Sequence, residues 1–138
     1  MSVYFDTSAV VALLTDDAHS AAVEGWLVQG HDIVVSHWVL TEFSSALGLQ
    51  FRQQRLSLAE VEQAEAALQG LVQEEFGLEA VENDDLVQAR ALLIRDRSLR
   101  SPDALHLSIA MRLGTAFATF DINQARAAER LGLVVLSA

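Results

Sequence analysis

Hydrophobic residues fall into short apolar runs separated by longer segments of helical periodicity. The short runs have the length and β-branched content of buried strands, and they predict strands at residues 2–5, 32–36, 77–81, 115–120 and 133–137. The longer segments predict helices at residues 7–14, 18–30 and 37–54, from Ser57 through Val72, from Asn83 to residues 95–97, from Ser101 onward, and at residues 122–132. Because strands and helices alternate, the pattern predicts an α/β fold with a parallel sheet covered on both faces.

Local signals mark where several helices begin. Ser57 followed by Glu60 is the pattern of a reciprocal helix cap. Pro102 is the only proline of the chain. With Ser101 as the cap, Pro102 occupies the first helical position and Asp103 the second. A carboxylate is therefore predicted at the mouth of an otherwise apolar helix.

Length and composition are typical of one domain with an ordinary core. The chain has 138 residues, of which 51% are hydrophobic, and we predict a single domain over residues 1–138. No apolar run approaches the about 18 residues of a membrane span, and the N-terminal residues do not resemble a signal peptide. Cysteine is absent, which excludes disulfides and thiolate zinc sites. We therefore expect a cytoplasmic protein without a membrane partner.

The charge balance restricts the chemistry further. The net charge is −10, and all nine basic residues are arginine. The absence of lysine excludes P-loop phosphate binding and Schiff-base catalysis. Because contact with phosphates needs positive charge, an acidic chain is a poor non-specific binder of nucleic acid. Any nucleic-acid function has to overcome this repulsion.

Four carboxylates stand at positions where a site can form. Asp6 and Asp121 each directly follow a predicted strand, and sites in parallel sheets lie outside the carboxyl ends of the strands. Asp103 lies at the mouth of its helix. Glu42 lies in the apolar stripe of the helix at residues 37–54, where a glutamate is rarely buried without a partner. All four are candidates for one shared site.

Each carboxylate also has a structural interpretation. Asp6 and Asp121 are good helix N-caps, and Asp121 with Gln124 matches a reciprocal cap. Asp103 complements a helix dipole, and Glu42 can pair with an arginine at the edge of the core. Taken together, the four favour a common site, where carboxylates about 4 Å apart repel by about 4 kcal/mol at an effective dielectric constant of about 20. A cation relieves that repulsion, and oxygen ligands without cysteine or clustered histidine favour Mg²⁺ or Mn²⁺ over zinc.

Four sequence blocks, in order, resemble the signature blocks of PIN domains. They are YFDTSAVVALL at residues 4–14, TEFSSAL at 41–47, LRSPDALHLSIA at 99–110 and TFDINQARAAERLGL at 119–133. The resemblance covers essentially the whole chain and is greatest to the small VapC-type ribonuclease toxins of bacterial toxin–antitoxin pairs. It implies a three-layer α/β/α sandwich with a mostly parallel central sheet, and hydrolysis of RNA that depends on Mg²⁺ or Mn²⁺.

The resemblance also implies roles for individual residues. The catalytic quartet is Asp6, Glu42, Asp103 and Asp121. Asp6 and Asp103 are the expected metal ligands, and Glu42 and Asp121 bind through water or orient the nucleophile. A metal-bound water then attacks the phosphorus. Many family members carry a further acid where Asn123 stands, and the uncharged amide makes a second metal site less favourable.

Residues beside the quartet have weaker assignments. Ser8 and Thr119 offer hydroxyl groups that support the ligands, and ordinary capping or packing is the alternative. His106 follows Asp103 by three residues and therefore shares its helix face. A general-acid role is one interpretation of His106, and we favour a hydrogen-bonded structural histidine.

Several arginines precede the third block. Arg90, Arg95, Arg97 and Arg100 fall within eleven residues. We predict that Arg95, Arg97 and Arg100 contact RNA phosphates, and a solvated helix face is the alternative.

The resemblance implies two protein partners, a second copy in a homodimer and a cognate antitoxin that holds the enzyme inactive. Apolar residues on the helices at 18–30 and 37–54 offer surfaces for either partner.

Two other functions fit parts of the sequence. The FDTSA segment places an aspartate after a strand, as in aspartyl-phosphate phosphatases, but Ser8 stands where that chemistry usually needs a second aspartate. The other alternative is a PIN fold that serves only for binding or assembly, and Asn123 is the one departure that favours it.

Overall fold

The centre of the fold is a five-stranded sheet with the strand order β3-β2-β1-β4-β5. The computed structural model describes residues 1–137. Each pairing along this order is parallel, which confirms the predicted α/β class. The strands are β1 (Ser2–Phe5), β2 (Asp32–Ser36), β3 (Gly77–Glu79), β4 (Ala116–Ala118) and β5 (Val135–Leu136).

Helices connect successive strands and cover the sheet. None of those within residues 1–137 is both long and apolar enough to cross a bilayer. The helices are α1 (Thr7–Leu14), α2 (Ser20–Val28), α3 (His37–Arg52), α4 (Leu58–Glu74), α5 (Asn83–Arg95), α6 (Ser101–Leu113) and α7 (Ile122–Arg130).

The central strand shows why both faces of the sheet are covered. Val3, Tyr4 and Phe5 are each 0% exposed, although successive side chains of a strand point to opposite faces. Phe5 packs edge-on against Trp26 of α2, whereas Tyr4 lies against His106 of α6. Helices therefore lie on both sides of β1, which confirms the expected three-layer sandwich.

Several predicted elements are shorter than their apolar runs. The predicted helix at residues 18–30 covers Ser20–Val28, and the predicted strand at residues 115–120 covers Ala116–Ala118. The last strand is Val135–Leu136 instead of residues 133–137. An apolar run continues wherever side chains are buried, whereas a strand ends where its ladder of hydrogen bonds ends, so the run overestimates the element.

Helix starts are partly as predicted. Ser57 and Glu60 form the reciprocal cap at the start of α4. At α6 the prediction was wrong by one residue, because Arg100 is the N-cap and Asp103 is the third helical residue. Pro102 is tolerated there because the first N–H groups of a helix have no intrahelical acceptor.

Candidate active site

The site lies where the direction of strand order changes. β2 and β3 extend the sheet on one side of β1, and β4 and β5 extend it on the other. The chain leaves β1 and β4 side by side, and the Asp6 N–H donates to the Ala118 carbonyl at 3.1 Å. Crevices at such points collect polar residues from both strand ends. Asp6 and Asp121 are thereby brought to the same edge of the sheet.

Asp6 is the most buried acid of the predicted quartet, with 3% of its surface exposed. Its Oδ1 accepts the Ala9 N–H at 3.1 Å and the Ser8 hydroxyl at 2.6 Å, and its Oδ2 accepts the Thr119 hydroxyl at 2.5 Å. Asp6 is thus both the N-cap of α1 and a member of the site. Burial raises the pKa of Asp6, and the hydroxyl donors only partly offset that effect.

Thr119 connects Asp6 to Asp121. Its hydroxyl donates to Asp6 and accepts the Asp121 N–H at 3.0 Å. Asp121 caps α7 by accepting the Gln124 N–H at 3.0 Å. The predicted reciprocal cap does not form, because the Asp121 N–H donates to Thr119 and not to the Gln124 side chain; the Gln124 amide donates to the Asp103 carbonyl at 3.4 Å. Gln124 therefore ties α7 to the start of α6, and sequence reasoning did not single it out for that role.

Asp103 is half-buried in the first turn of α6. Burial raises the pKa of Asp103, and the negative charge of Asp121 raises it further. Arg100 opposes both effects through its Nε, which donates to Asp103 Oδ2 at 3.3 Å. Gln124 of α7 donates to the Asp103 carbonyl, so the start of α6 with Asp103 lies against the start of α7, which Asp121 caps.

Glu42 projects from the interior of α3 and is held by hydrogen bonds. Its Oε1 accepts the Thr7 hydroxyl at 2.6 Å and also contacts Nε2 of His106. The partner is thus a histidine on α6 and not the arginine considered from the sequence. Burial alone raises the pKa of Glu42, but the bonds from His106 and Thr7 outweigh burial and the pKa lies below its usual range.

The carboxylates have the donor chemistry for a divalent cation, but among the residues that the structure describes they are not arranged as a formed metal site. Within residues 1–137, no three His, Asp or Glu side chains form a group that would hold a metal as they stand. The chemistry of the donors nevertheless suits Mg²⁺ or Mn²⁺, since Asp6, Asp103 and Asp121 offer only oxygen ligands. The raised pKa values of Asp6 and Asp103 are also what a nearby cation would reverse. The residues therefore fit a hard cation by chemistry, and side-chain adjustment would have to gather them around it.

The other predicted residues differ in their relation to the site. Arg100 contacts Asp103, whereas Arg95 at the end of α5 and Arg97 in the following turn are exposed, and neither bonds to an acid of the quartet within residues 1–137. Asn123 is exposed in the first turn of α7, two residues after Asp121. Their assignments to RNA or metal binding stay predictions.

Tyr4 and Ser36 form a buried polar pair in this region that sequence reasoning did not identify. Tyr4 Oη lies 2.8 Å from Ser36 Oγ and 2.8 Å from Nδ1 of His106, so a polar group occupies the middle of the core. The signal was present in the sequence, because Tyr4 is the only tyrosine and stands in an otherwise apolar strand. A buried tyrosine usually finds a hydrogen-bond partner.

Comparison with known proteins gives consistent results at the levels of sequence and fold. The PIN domain family profile matches residues 3–130. Ribonuclease VapC35 of Mycobacterium tuberculosis is 30% identical in an alignment that covers 98% of this chain and 96% of that protein. The sarcin–ricin loop cleaving toxin VapC20 of Mycobacterium tuberculosis superposes with a TM-score of 0.72 at 22% identity, over 91% of this chain and 94% of that one. VapBC2 of Rickettsia felis, bound to a promoter DNA fragment, has a TM-score of 0.73 at 16% identity, over 99% and 98% of the two chains.

Proposed function

The chain belongs to the PIN domain family, and on that premise we propose that it is a metal-dependent endoribonuclease, the toxin of a toxin–antitoxin pair. The observation that carries the proposal is the convergence of Asp6 and Asp121 at the ends of β1 and β4, with Asp103 in the field of Asp121. The 30% identity to a ribonuclease over nearly the full length of both proteins supports the same activity.

Mg²⁺ or Mn²⁺ is the cofactor that we propose. Asp6 and Asp103 would hold the ion directly, and Glu42 and Asp121 would act through water. When bound, the cation supplies an activated water and neutralises charge on the phosphate. Ser8 and Thr119 orient Asp6 through hydrogen bonds of 2.6 and 2.5 Å. Asn123 stands two residues after Asp121 and offers a neutral ligand.

RNA is the proposed substrate, and the exposed arginines are its proposed phosphate contacts. Arg100 is the best placed of them, because it already contacts Asp103 while its side chain is 75% exposed. The Arg100 guanidinium could therefore leave Asp103 and bind a phosphate oxygen while it stays exposed to solvent. Arg95 and Arg97 are exposed three to five residues before Arg100 in the sequence, and we propose that they extend the contact with phosphates.

A homodimer is proposed through the outer surface of α5. Leu86, Val87 and Ile94 are 53%, 58% and 52% exposed, an unusual concentration of apolar surface on one helix. Beside them lies an apolar groove of about 700 Å³ between α3, α5 and α6. The Trp38 indole N–H in this groove has no hydrogen-bond acceptor within residues 1–137. A second copy covering this surface would remove apolar area from water.

The remaining assignments rest on the family. A cognate antitoxin is the second proposed protein partner, as in the solved Rickettsia felis and Salmonella typhimurium VapBC assemblies. A single PIN domain over residues 1–138 is supported by one continuous core. A cytoplasmic location is proposed because the RNA substrate is found there.

The test is cleavage of a total tRNA and rRNA pool by the purified chain with Mg²⁺ or Mn²⁺. We expect discrete fragments that disappear with chelator and that Asp6→Asn reduces at least about 100-fold, since even supports of metal ligands contribute about 10–100-fold. Asp32→Asn is the matched control, because Asp32 is exposed at the opposite end of the sheet.

Other outcomes identify the competing functions. Cleavage that survives both chelator and Asp6→Asn would contradict a metal nuclease. Hydrolysis of p-nitrophenyl phosphate without RNA cleavage would indicate a phosphatase. If neither substrate is cleaved, calorimetric titration with Mn²⁺ decides, and the absence of binding would indicate a binding or assembly module.

A further inference from the structure

A chain of buried polar groups runs from the middle of the sheet to Glu42. Tyr4 and Ser36 are 0% exposed and His106 is 2% exposed, so water cannot compete for their hydrogen bonds. Tyr4 Oη lies 2.8 Å from Ser36 Oγ and 2.8 Å from His106 Nδ1. The other ring nitrogen of His106, Nε2, contacts Glu42 Oε1. This series of hydrogen bonds therefore joins β1, β2, α6 and α3, and it ends at Glu42.

The direction of the hydrogen bonds follows from the protons available. The Val39 N–H donates to Ser36 Oγ at 3.2 Å, so the Ser36 hydroxyl proton needs an acceptor elsewhere. Within residues 1–137 the one further partner of that hydroxyl is Tyr4 Oη. The Tyr4 hydroxyl then donates its own hydrogen bond to Nδ1 of His106. In the reverse direction the Ser36 proton would have no acceptor, which is costly in a buried position.

This order determines the tautomer of His106. Because Nδ1 accepts from Tyr4, the ring proton of a neutral imidazole resides on Nε2. Nε2–H points at Glu42 Oε1 and donates to it. The other tautomer would place a lone pair against the carboxylate and repel it. Tyr4 and Ser36 therefore favour the same tautomer as the Glu42 carboxylate, with the Nε2–H group directed at the site.

The two oxygens of Glu42 consequently differ. Oε1 accepts from both His106 and the Thr7 hydroxyl, the latter at 2.6 Å. Oε2 has no hydrogen-bond partner within residues 1–137, and 23% of the Glu42 side chain is exposed. One oxygen is thus held by the protein and the other is left for a ligand.

We propose that His106 is a positioning residue that orients Glu42, and that Tyr4 and Ser36 act through it by fixing its tautomer. His106 does not act as a general acid, since both ring nitrogens are occupied and the ring is buried. The proposal rests on the proposed function only where it assigns Glu42 to the metal site.

The variants separate the hydrogen-bond chain from packing. Tyr4→Phe removes only the hydroxyl and keeps the ring that stacks on Phe117 at a centroid distance of 5.8 Å. His106→Leu removes both nitrogens, whereas the amide of His106→Gln can still donate to Glu42. Ser108→Ala is the matched control. Ser108 lies on the same helix, is 3% exposed and donates to the Asp85 carbonyl at 2.7 Å, away from Glu42.

Two measurements on the metal-free protein test the geometry directly. Long-range ¹H–¹⁵N NMR should show His106 as the Nε2–H tautomer in wild type, in Ser108→Ala and in Glu42→Gln, whose amide can either accept from Nε2 or donate to it. The double variant Tyr4→Phe/Glu42→Gln, which lacks both preferences, should show a mixture of tautomers. Crystal structures should show the Glu42 carboxylate in one orientation in wild type and His106→Gln, and in several orientations in His106→Leu. An Nδ1–H tautomer in wild type, or an unchanged carboxylate in His106→Leu, would overturn the proposal.

Calorimetry with Mn²⁺ tests the consequence for the site. His106→Leu should weaken Mn²⁺ binding by about 10–100-fold, the range for residues that orient metal ligands, and His106→Gln should restore most of the loss. A purely structural role predicts lower stability in all variants with unchanged Mn²⁺ affinity. If wild type binds no Mn²⁺, the proposed metal site fails, and NMR with the crystal structures still decides the role of His106.

Discussion

At the scale of single residues, neighbours give the acids of the site opposite electrostatic properties. Burial raises the pKa values of Asp6 and Asp103. Glu42 has a lowered pKa because donors compensate for its burial. Two carboxylates thus resist ionisation and one is held ionised. A nearby cation stabilises the ionised form of a carboxylate. Metal binding would therefore offset the free-energy cost of ionising Asp6 and Asp103 in their buried positions.

This division predicts how stability depends on pH. Asp6 has a raised pKa in the fold, so between about pH 4 and that pKa the folded chain binds more protons than the unfolded chain. Its contribution to the free energy of unfolding therefore falls as the pH rises. We expect metal-free Asp6→Asn to become progressively more stable relative to wild type as the pH rises from about 4 toward the raised pKa of Asp6. Urea unfolding with chelator present measures this difference.

Asp96 provides a control of opposite sign. Hydrogen bonds from Ser98 and Arg130 lower the pKa of Asp96 to about 2. Its contribution to stability is present above the unfolded value of about 3.9 and is lost as the pH falls through the folded value. Asp96→Asn should therefore destabilise the protein at neutral pH, and the difference should disappear in acid. A difference between Asp6→Asn and wild type that did not change with pH would contradict the assignment for Asp6.

At the scale of elements, α6 carries both the site and its attachment to the fold. Asp103 lies in its first turn and His106 one turn later. At its last turn, Arg112 donates to both carboxylate oxygens of Asp85, at 2.8 and 3.0 Å, and to the Ala80 carbonyl at 3.0 Å. The Asp85 carboxylate thereby fixes α6 against the start of α5.

Breaking that contact should destabilise the α5–α6 pair. Arg112→Ala leaves Asp85, which is 1% exposed, as a buried charge without its partner. We expect a loss of about 3 kcal/mol, the lower end of the range for broken buried pairs, because water can reach the Arg112 position. Urea denaturation measures the loss. Arg126→Ala, an exposed arginine of α7, should change stability by less than about 0.5 kcal/mol; an equal effect of both substitutions would contradict the prediction.

At the scale of the whole molecule, the strand order concentrates function at one edge of the sheet. The ends of β1 and β4 carry Asp6 and Asp121, and α6 brings Asp103 beside them. The net charge of −10 would oppose the binding of RNA, and under the proposed function the exposed Arg100 beside Asp103 would supply local positive charge. The exposed apolar residues of α5 form the surface that we propose for the second copy.

The proposed dimer gives a prediction at this scale. Leu86→Glu and Ile94→Glu place a charge within the apolar surface of α5 and should convert the dimer to a monomer. Sedimentation velocity and light scattering measure the change. Val28→Glu is the control, because Val28 of α2 is 86% exposed on another surface and should leave the dimer intact. A monomeric wild type would rule out this interface.

Local pattern was sufficient for much of the fold and for the location of the candidate acids. The alternation of apolar runs and helical segments determined the order of strands and helices, because periodicity is a property of neighbouring residues. Asp6 and Asp121 could be assigned to strand ends for the same reason. Glu42 and Asp103 were also candidates by pattern, but their positions in helices fit structural roles equally well, and the family resemblance supplied their expected roles at the site.

Tertiary structure alone decided the partners. His106 and Tyr4 are separated by 102 residues, and His106 and Glu42 by 64, so no local pattern predicts their contact. The same holds for Asp85 and Arg112, and for Gln124, which bonds to the start of α6 instead of closing its own cap. Hydrogen bonds of buried side chains depend on which strands and helices lie side by side. The sequence therefore determined that Asp6 and Asp121 follow strand ends, because that position is local, and the packing of α3 and α6 against β1 determined which side chains hold Glu42.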